Sequence, residues 1–197
     1  MGERLGIFGG TFDPPHVGHL VTAVNVRHEI ALDRVLLVVN GQPWQKVGTR
    51  PISPAEDRFA MVAAAVGTVD GLEASRIEVD RPGMSYTADT LASLLEEDAD
   101  RELFVLLGTD AALGLPTWER ADEVRRLATI VVVERPGSAV AGPPPGWSWE
   151  RVVVPRLEVS STDLRARVAD GRPLDYLLTA DVIAAIRDRG LYRGPEA

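Results

Sequence analysis

A chain of 197 residues, 45% hydrophobic and 25% charged, suits one compact domain over residues 1–197, and no apolar stretch approaches the length of a bilayer span. The formal net charge of −8 argues against non-specific binding to nucleic acid or to an anionic membrane, and the absence of cysteine excludes disulfides, thiolate nucleophiles and cysteine-ligated zinc. The N-terminus carries no basic segment leading into an apolar stretch, so no signal peptide is read and a cytoplasmic location is expected. Anionic small molecules stay compatible with the negative balance if helix N-termini and a few Arg, Lys and His residues supply local donors.

In chain order, apolar runs rich in β-branched residues alternate with stretches of helical periodicity, a pattern that predicts an α/β fold with a parallel sheet and helices on both faces. Residues 4–8 read as the first strand. A helix follows from Pro15 or His16, with Val17, Leu20, Val21, Val24 and Ile30 as its expected buried positions. Residues 34–40 read as the second strand and 54–66 as a helix. A third strand is expected at 74–79, ahead of a helix through Asp89, Leu91, Leu94 and Leu95. Two runs apolar enough to be buried on both faces, 102–107 and 128–134, give the fourth and fifth strands, ended by Gly108 and Pro136. Residues 136–146, rich in Pro and Gly, read as a surface loop before a strand pattern at 151–155. Helices at 161–170 and 180–189 finish the chain, with Gly171 and Gly190 as their stops.

The densest signal is GIFGGTFDPPHVGHL, which places two of the three histidines directly behind the first strand. Gly9 and Gly10 let a ligand approach the backbone at the strand end, as in mononucleotide-binding folds. The G-x-G-x-x-G spacing of dinucleotide folds is absent, which disfavours a dehydrogenase. With Pro15 at the first helical position, His16 and His19 would lie in the first turn on one face, near the positive end of the helix dipole. Taken singly they are as well read as surface caps. A zinc site lacks the H-E-x-x-H spacing. Near the C-terminus, VSSTDLR begins with capping residues at Ser160, Ser161 and Thr162, and Arg165 follows; alone, it reads as a capped surface helix with a solvated arginine.

Together these segments resemble the two signatures of the nucleotidyltransferase superfamily: H-x-G-H at His16, Val17, Gly18 and His19, and I-S-S-T-x-x-R at residues 159–165, with Val159 in place of isoleucine. The resemblance implies the H-x-G-H nucleotidyltransferase version of a Rossmann-like fold. It also implies that Gly9, Gly10, Thr11, Phe12, Gly18, Ser161 and Thr162 cradle ATP, with His16, His19 and Arg165 on its phosphates. Lys46 is by itself an ordinary solvated lysine. The family carries a Pro-Pro-His-Lys-like segment there, and Trp44 and Gln45 depart from it, so only the lysine carries over.

MSYTADTL at 84–91 and the segment from Leu107 through Gly108 and Asp110 to Trp118 resemble bacterial nicotinate-nucleotide adenylyltransferases, as do RPG at 135–137 and GLYR at 190–193. That resemblance implies Thr87 at the pyridine carboxylate, Trp118 stacked on the ring and Asp110 on ribose hydroxyls. Without it, Thr87 and Asp110 are equally well read as caps and Trp118 as core. The implied reaction is adenylyl transfer from ATP, with Mg²⁺, to nicotinate mononucleotide, giving nicotinate adenine dinucleotide and pyrophosphate. The alternatives are the same chemistry on nicotinamide mononucleotide or phosphopantetheine, and a non-catalytic nucleotide-binding module. A homo-oligomer is compatible with the sequence, which carries no partner signal beyond the two substrates.

Overall fold

A computed structural model describes residues 2–42, 52–134 and 142–193. Six strands, β1 (Arg4–Gly10), β2 (Arg34–Val39), β3 (Leu72–Ser75), β4 (Glu102–Gly108), β5 (Ala128–Glu134) and β6 (Trp149–Val153), form one sheet in the order β3-β2-β1-β4-β5-β6. Every pairing is parallel. A parallel strand covered on both sides needs apolar residues at consecutive positions, which is why RVLLVV and ATIVVVE carry no polar alternation.

Among the described residues, seven α-helices cover the sheet. On one face lie α1 (Val17–Glu29), α2 (Ala55–Val66), α6 (Ser161–Asp170) and α7 (Ala180–Asp188), packed through Val26, Met61, Leu164 and Ile186 on Val35, Leu37 and Val131. On the other lie α3 (Thr87–Glu97), the short α4 (Thr109–Leu113) and α5 (Ala121–Leu127), packed through Leu91, Ala112 and Val124 on Ile7, Val105 and Ile130. The chain after β1 turns to the first face and the chain after β4 to the second, so a crevice opens between these neighbouring strands at their C-terminal ends. Such a switch point is where open parallel sheets bind ligands.

Three expectations need correction. The third strand is Leu72–Ser75 rather than 74–79, and Ile77 to Val79 form a turn, because pairing with β2 ends at Val38 with Ser75. In α1 only Ala23 and Val26 are buried, and Val24 is exposed, because the helix rests on the sheet along a narrow line. The helices at 109–113 and 121–127 are too short to show a period in the sequence. Residues 135–141, including RPG, and Lys46, Trp44 and Gln45 lie outside the described residues. Among the described residues, no helix is long and apolar enough to cross a membrane.

Among the charged side chains built into the core is an arginine. Arg58 of α2 is 1% exposed. It donates to the Ser53 carbonyl at 2.9 Å, the Thr11 carbonyl at 3.0 Å and the Gly41 carbonyl at 3.2 Å. The guanidinium thus joins the turn after β1, the start of the loop after β2 and the lead-in to α2, and it satisfies the buried Thr11 carbonyl and two part-buried ones. Arg58→Met, similar in length but without donors, is expected to cost about 3 kcal/mol in urea unfolding with the m-value unchanged, because buried carbonyls are left unpaired.

Candidate functional site

The turn after β1 is shaped by its aromatic ring. Phe12 has a φ of 50°, a left-handed backbone that non-glycine residues rarely adopt. Its buried ring lies edge-on to Phe8 at 5.8 Å and to His19 at 5.0 Å. A Cβ on Gly10 would stand 2.8 Å from that ring, so glycine is required there for packing. Cβ atoms on Gly9 and Gly108 would meet nothing within 4 Å, and these two glycines border open space at the ends of β1 and β4. Phe12, expected at the nucleotide, can offer a ligand only its backbone, since its ring is spent beneath His19.

The helix begins later than expected. His16 has an extended backbone, φ −146° and ψ 169°, and is the N-cap of α1, so Pro15 precedes the helix and Val17 is its first residue. His16 donates its backbone N–H to Nδ1 of His19 at 3.1 Å. An Nδ1 that accepts a hydrogen bond leaves Nε2 as the protonated, donating nitrogen of the neutral ring. The two imidazoles stack at 3.7 Å between centroids. A Cβ on Gly18 would approach both His16 Nδ1 and Val159 Cγ1 to 3.0 Å, so the absence of a side chain at this position lets the second motif pack against the first.

The start of α6 is bolted to the start of α1. Ser160 caps α6, accepting from the Asp163 N–H at 3.2 Å. Ser161 Oγ donates to the Pro14 carbonyl at 2.8 Å and Arg165 Nη1 to the Asp13 carbonyl at 2.8 Å. Arg165 Nη2 also donates to Thr162 Oγ1 at 3.2 Å. Leu164, fully buried between them, anchors this turn in the core. The structure therefore brings His16, His19, Gly18, Ser161, Thr162 and Arg165 to one place, with two helix N-termini side by side.

Across Gly9 and Gly10, on the other face of β1, lies a cavity of about 250 Å³. Thr11, Asn40, Glu78, Thr87 and Trp118 line it together with those glycines. Thr87 is the first residue of α3, whose N-terminus opens into the cavity, and Trp118 sits just after a 3₁₀ turn at Leu115–Thr117. Arg120 pairs with Asp89 in the first turn of α3, which ties the Trp118 segment to that helix. Asp110 stands two residues beyond the end of β4, exposed in the first turn of the short helix α4, next to Ala111 of the cavity lining.

Sequence reasoning passed over Asp13, Arg58, Glu78 and Tyr192 as site residues. Tyr192 donates its hydroxyl to Asp13 Oδ1 at 2.6 Å and so ties the last described turn of the chain to the first motif. Its signal was the family-like GLYR, without a stated role. Arg58 and Glu78 left no local signal, since a charged residue on a helix or in a turn reads as solvated until tertiary contacts bury it. Burial, then the bond to Asp13, pushes the Tyr192 hydroxyl well above the usual tyrosine value of 10.0. The folded chain therefore holds this proton where the unfolded chain has lost it, so this contribution is complete below pH 10 and declines above it. Alkaline unfolding should show stability falling by at most about 1.4 kcal/mol per pH unit above pH 10 from this group. Tyr192→Phe is expected to lack that component and to be about 1.5 kcal/mol less stable at pH 7.

Residues 7–167 match the family model described as Cytidylyltransferase-like. A protein of Saccharopolyspora erythraea named "Probable nicotinate-nucleotide adenylyltransferase" is 42% identical over 195 residues, spanning 98% of this chain and 92% of its own. One of the same name from Streptomyces coelicolor is 46% identical over 188 residues, spanning 94% and 99%. The solved structure of Plasmodium falciparum nicotinic acid mononucleotide adenylyltransferase complexed with NaAD superposes with a TM-score of 0.78 over 96% of this chain and 97% of that one. At 15% identity, that likeness shows the shared fold. By its extended match to these sequences, the chain belongs to the cytidylyltransferase-like family and, within it, to the nicotinate-nucleotide adenylyltransferases.

Proposed function

We propose that the protein transfers the adenylyl group of ATP to nicotinate mononucleotide, forming nicotinate adenine dinucleotide and releasing pyrophosphate. The observation that carries this reading is the pairing of the two helix N-termini, held by Ser161 on the Pro14 carbonyl and Arg165 on the Asp13 carbonyl, beside a separate cavity that shares Gly9 and Gly10. Two anionic ligands thus have two seats with one wall in common. The names of the relatives described above point the same way.

The attacking phosphate monoester loses its second proton near pH 6, so at pH 7 the nucleophile is already ionised and needs no base. What the reaction demands is alignment of two repelling anions and relief of the charge that builds on the leaving pyrophosphate. The first turn of α1, with the Nε2 donor of His19 and the guanidinium of Arg165, is suited to the ATP phosphates. The start of α3 at Thr87 is suited to the pyridine carboxylate and the Trp118 indole to the ring. Mg²⁺ accompanies ATP in this reading. It would be held chiefly through the substrate phosphates, which Mg²⁺ binds readily.

Pyrophosphate release, measured with ATP and each acceptor in turn, tests the reading. Turnover is expected with nicotinate mononucleotide, less with nicotinamide mononucleotide and none with phosphopantetheine; ATP binding without turnover on any acceptor would instead make the chain a nucleotide-binding module. His19→Ala is expected to lower kcat about 100-fold, the scale of removing one preorganised donor, while shifting the KM for ATP only a few-fold. Equal losses in both would contradict a contact that strengthens as the leaving group gains charge.

A further inference from the structure

The acceptor cavity contains a group with no evident use in the chemistry: Glu78, 5% exposed, stands in its wall. Both carboxylate oxygens are engaged. Oε2 accepts from Asn40 Nδ2 at 2.9 Å, and Oε1 accepts from the hydroxyl of fully buried Thr90 at 2.7 Å. Thr90 in turn accepts from Arg81 Nη2 at 3.3 Å, so donors run in one direction from Arg81 through Thr90 to Glu78, with Asn40 arriving from the other side. Bonds arranged head to tail in this way reinforce one another.

A buried acid is a poor choice for merely filling the wall of a cavity that receives an anion, because it costs desolvation and repels the ligand. A leucine or methionine would fill the volume without either cost. What a carboxylate uniquely supplies is acceptor-only chemistry on both oxygens. Facing it, the Asn40 amide has one stable orientation, with Nδ2 toward Glu78, leaving Oδ1 and the second N–H for other partners. The backbone of Asn40 is held as well, since its N–H donates to the Gly10 carbonyl at 3.0 Å. Asn40 therefore stands rigidly between the glycine turn of the ATP side and the acceptor cavity.

We propose that Glu78 is a positioning residue for the acceptor: it locks the Asn40 carboxamide in the orientation that binds the pyridine mononucleotide. This rests on the function proposed above. A glutamine at position 78 can meet Asn40 with either its oxygen or its NH₂, because the Thr90 hydroxyl can accept as well as donate at the other end, so the Asn40 amide is free to turn over. The exchange Asn40→Asp with Glu78→Gln restores a donor–acceptor pair between the two positions but puts a carboxylate where the carboxamide was.

Steady-state kinetics with ATP and nicotinate mononucleotide varied separately, alongside thermal melts, decide the matter. Glu78→Gln is expected to raise the acceptor KM at least tenfold while the KM for ATP moves less than twofold. The paired exchange is expected to recover Tm without recovering the acceptor KM. Thr90→Val, which removes one donor with little change of shape, should move the acceptor KM in the same direction by a smaller factor, and it serves as the test should Glu78→Gln not fold. The proposal is overturned if the KM values for ATP and acceptor rise together, if neither moves, or if the paired exchange restores acceptor binding along with Tm. If the wild-type protein itself fails to turn over nicotinate mononucleotide, the functional reading falls first and this inference with it.

Discussion

Two hydrogen bonds to the carbonyls of Asp13 and Pro14, from Arg165 and Ser161, hold the site together. They join segments about 150 residues apart in sequence, at separations of 147 and 152. The N-terminal end of a helix presents unpaired N–H groups and a partial positive charge, and two such ends repel unless something fixes them side by side. Here the fixing groups are a hydroxyl and a guanidinium, and the latter adds positive charge of its own. The stored unfavourable interaction is relieved when an anion enters. A chain of net charge −8 can in this way still attract a polyphosphate, because the field that matters is local.

Beneath the clasp, polar groups withdrawn from water set the backbone. Arg58 pulls the Thr11, Gly41 and Ser53 carbonyls toward one point, and Tyr192 holds the side chain of Asp13. Ser85 accepts from the Gly41 N–H at 3.0 Å, and a Cβ at Gly41 would come within 2.3 Å of the Glu78 carbonyl. The backbone at Gly41, just after β2, is therefore held from the phosphate side by Arg58 and from the cavity side by Ser85 and Glu78. Rigid support of this kind suits a reaction in which alignment carries the catalytic burden, since donors already in place need no reorganisation as charge develops.

The arrangement of the sheet explains why two anions can meet. Because α1 covers one face and α3 the other, their N-termini approach the end of β1 from opposite sides. Gly9 and Gly10, lacking side chains, leave the backbone between them open to both. Trp118 completes the cavity wall from beyond β4, held on α3 by the pairing of Arg120 with Asp89.

The parallel sheet, its apolar strands and the caps of α6 and α7 were legible in the sequence, because hydrophobic period and capping chemistry act over a few residues. Both signatures were legible too, and with them His16, His19 and Arg165, while Thr87 and Trp118 came from the further segments at 84–91 and 107–118. What tertiary structure alone decided is how these pieces meet. It set His16 as a cap outside the helix and placed Phe12 beneath His19. It also drew Arg58, Glu78 and Tyr192 inward as polar supports. The physical reason is that a charged or hydroxyl-bearing side chain has no preferred fate of its own. Whether it faces water or becomes a buried support depends on carbonyls, amides and carboxylates that only the folded chain brings within 3 Å or so.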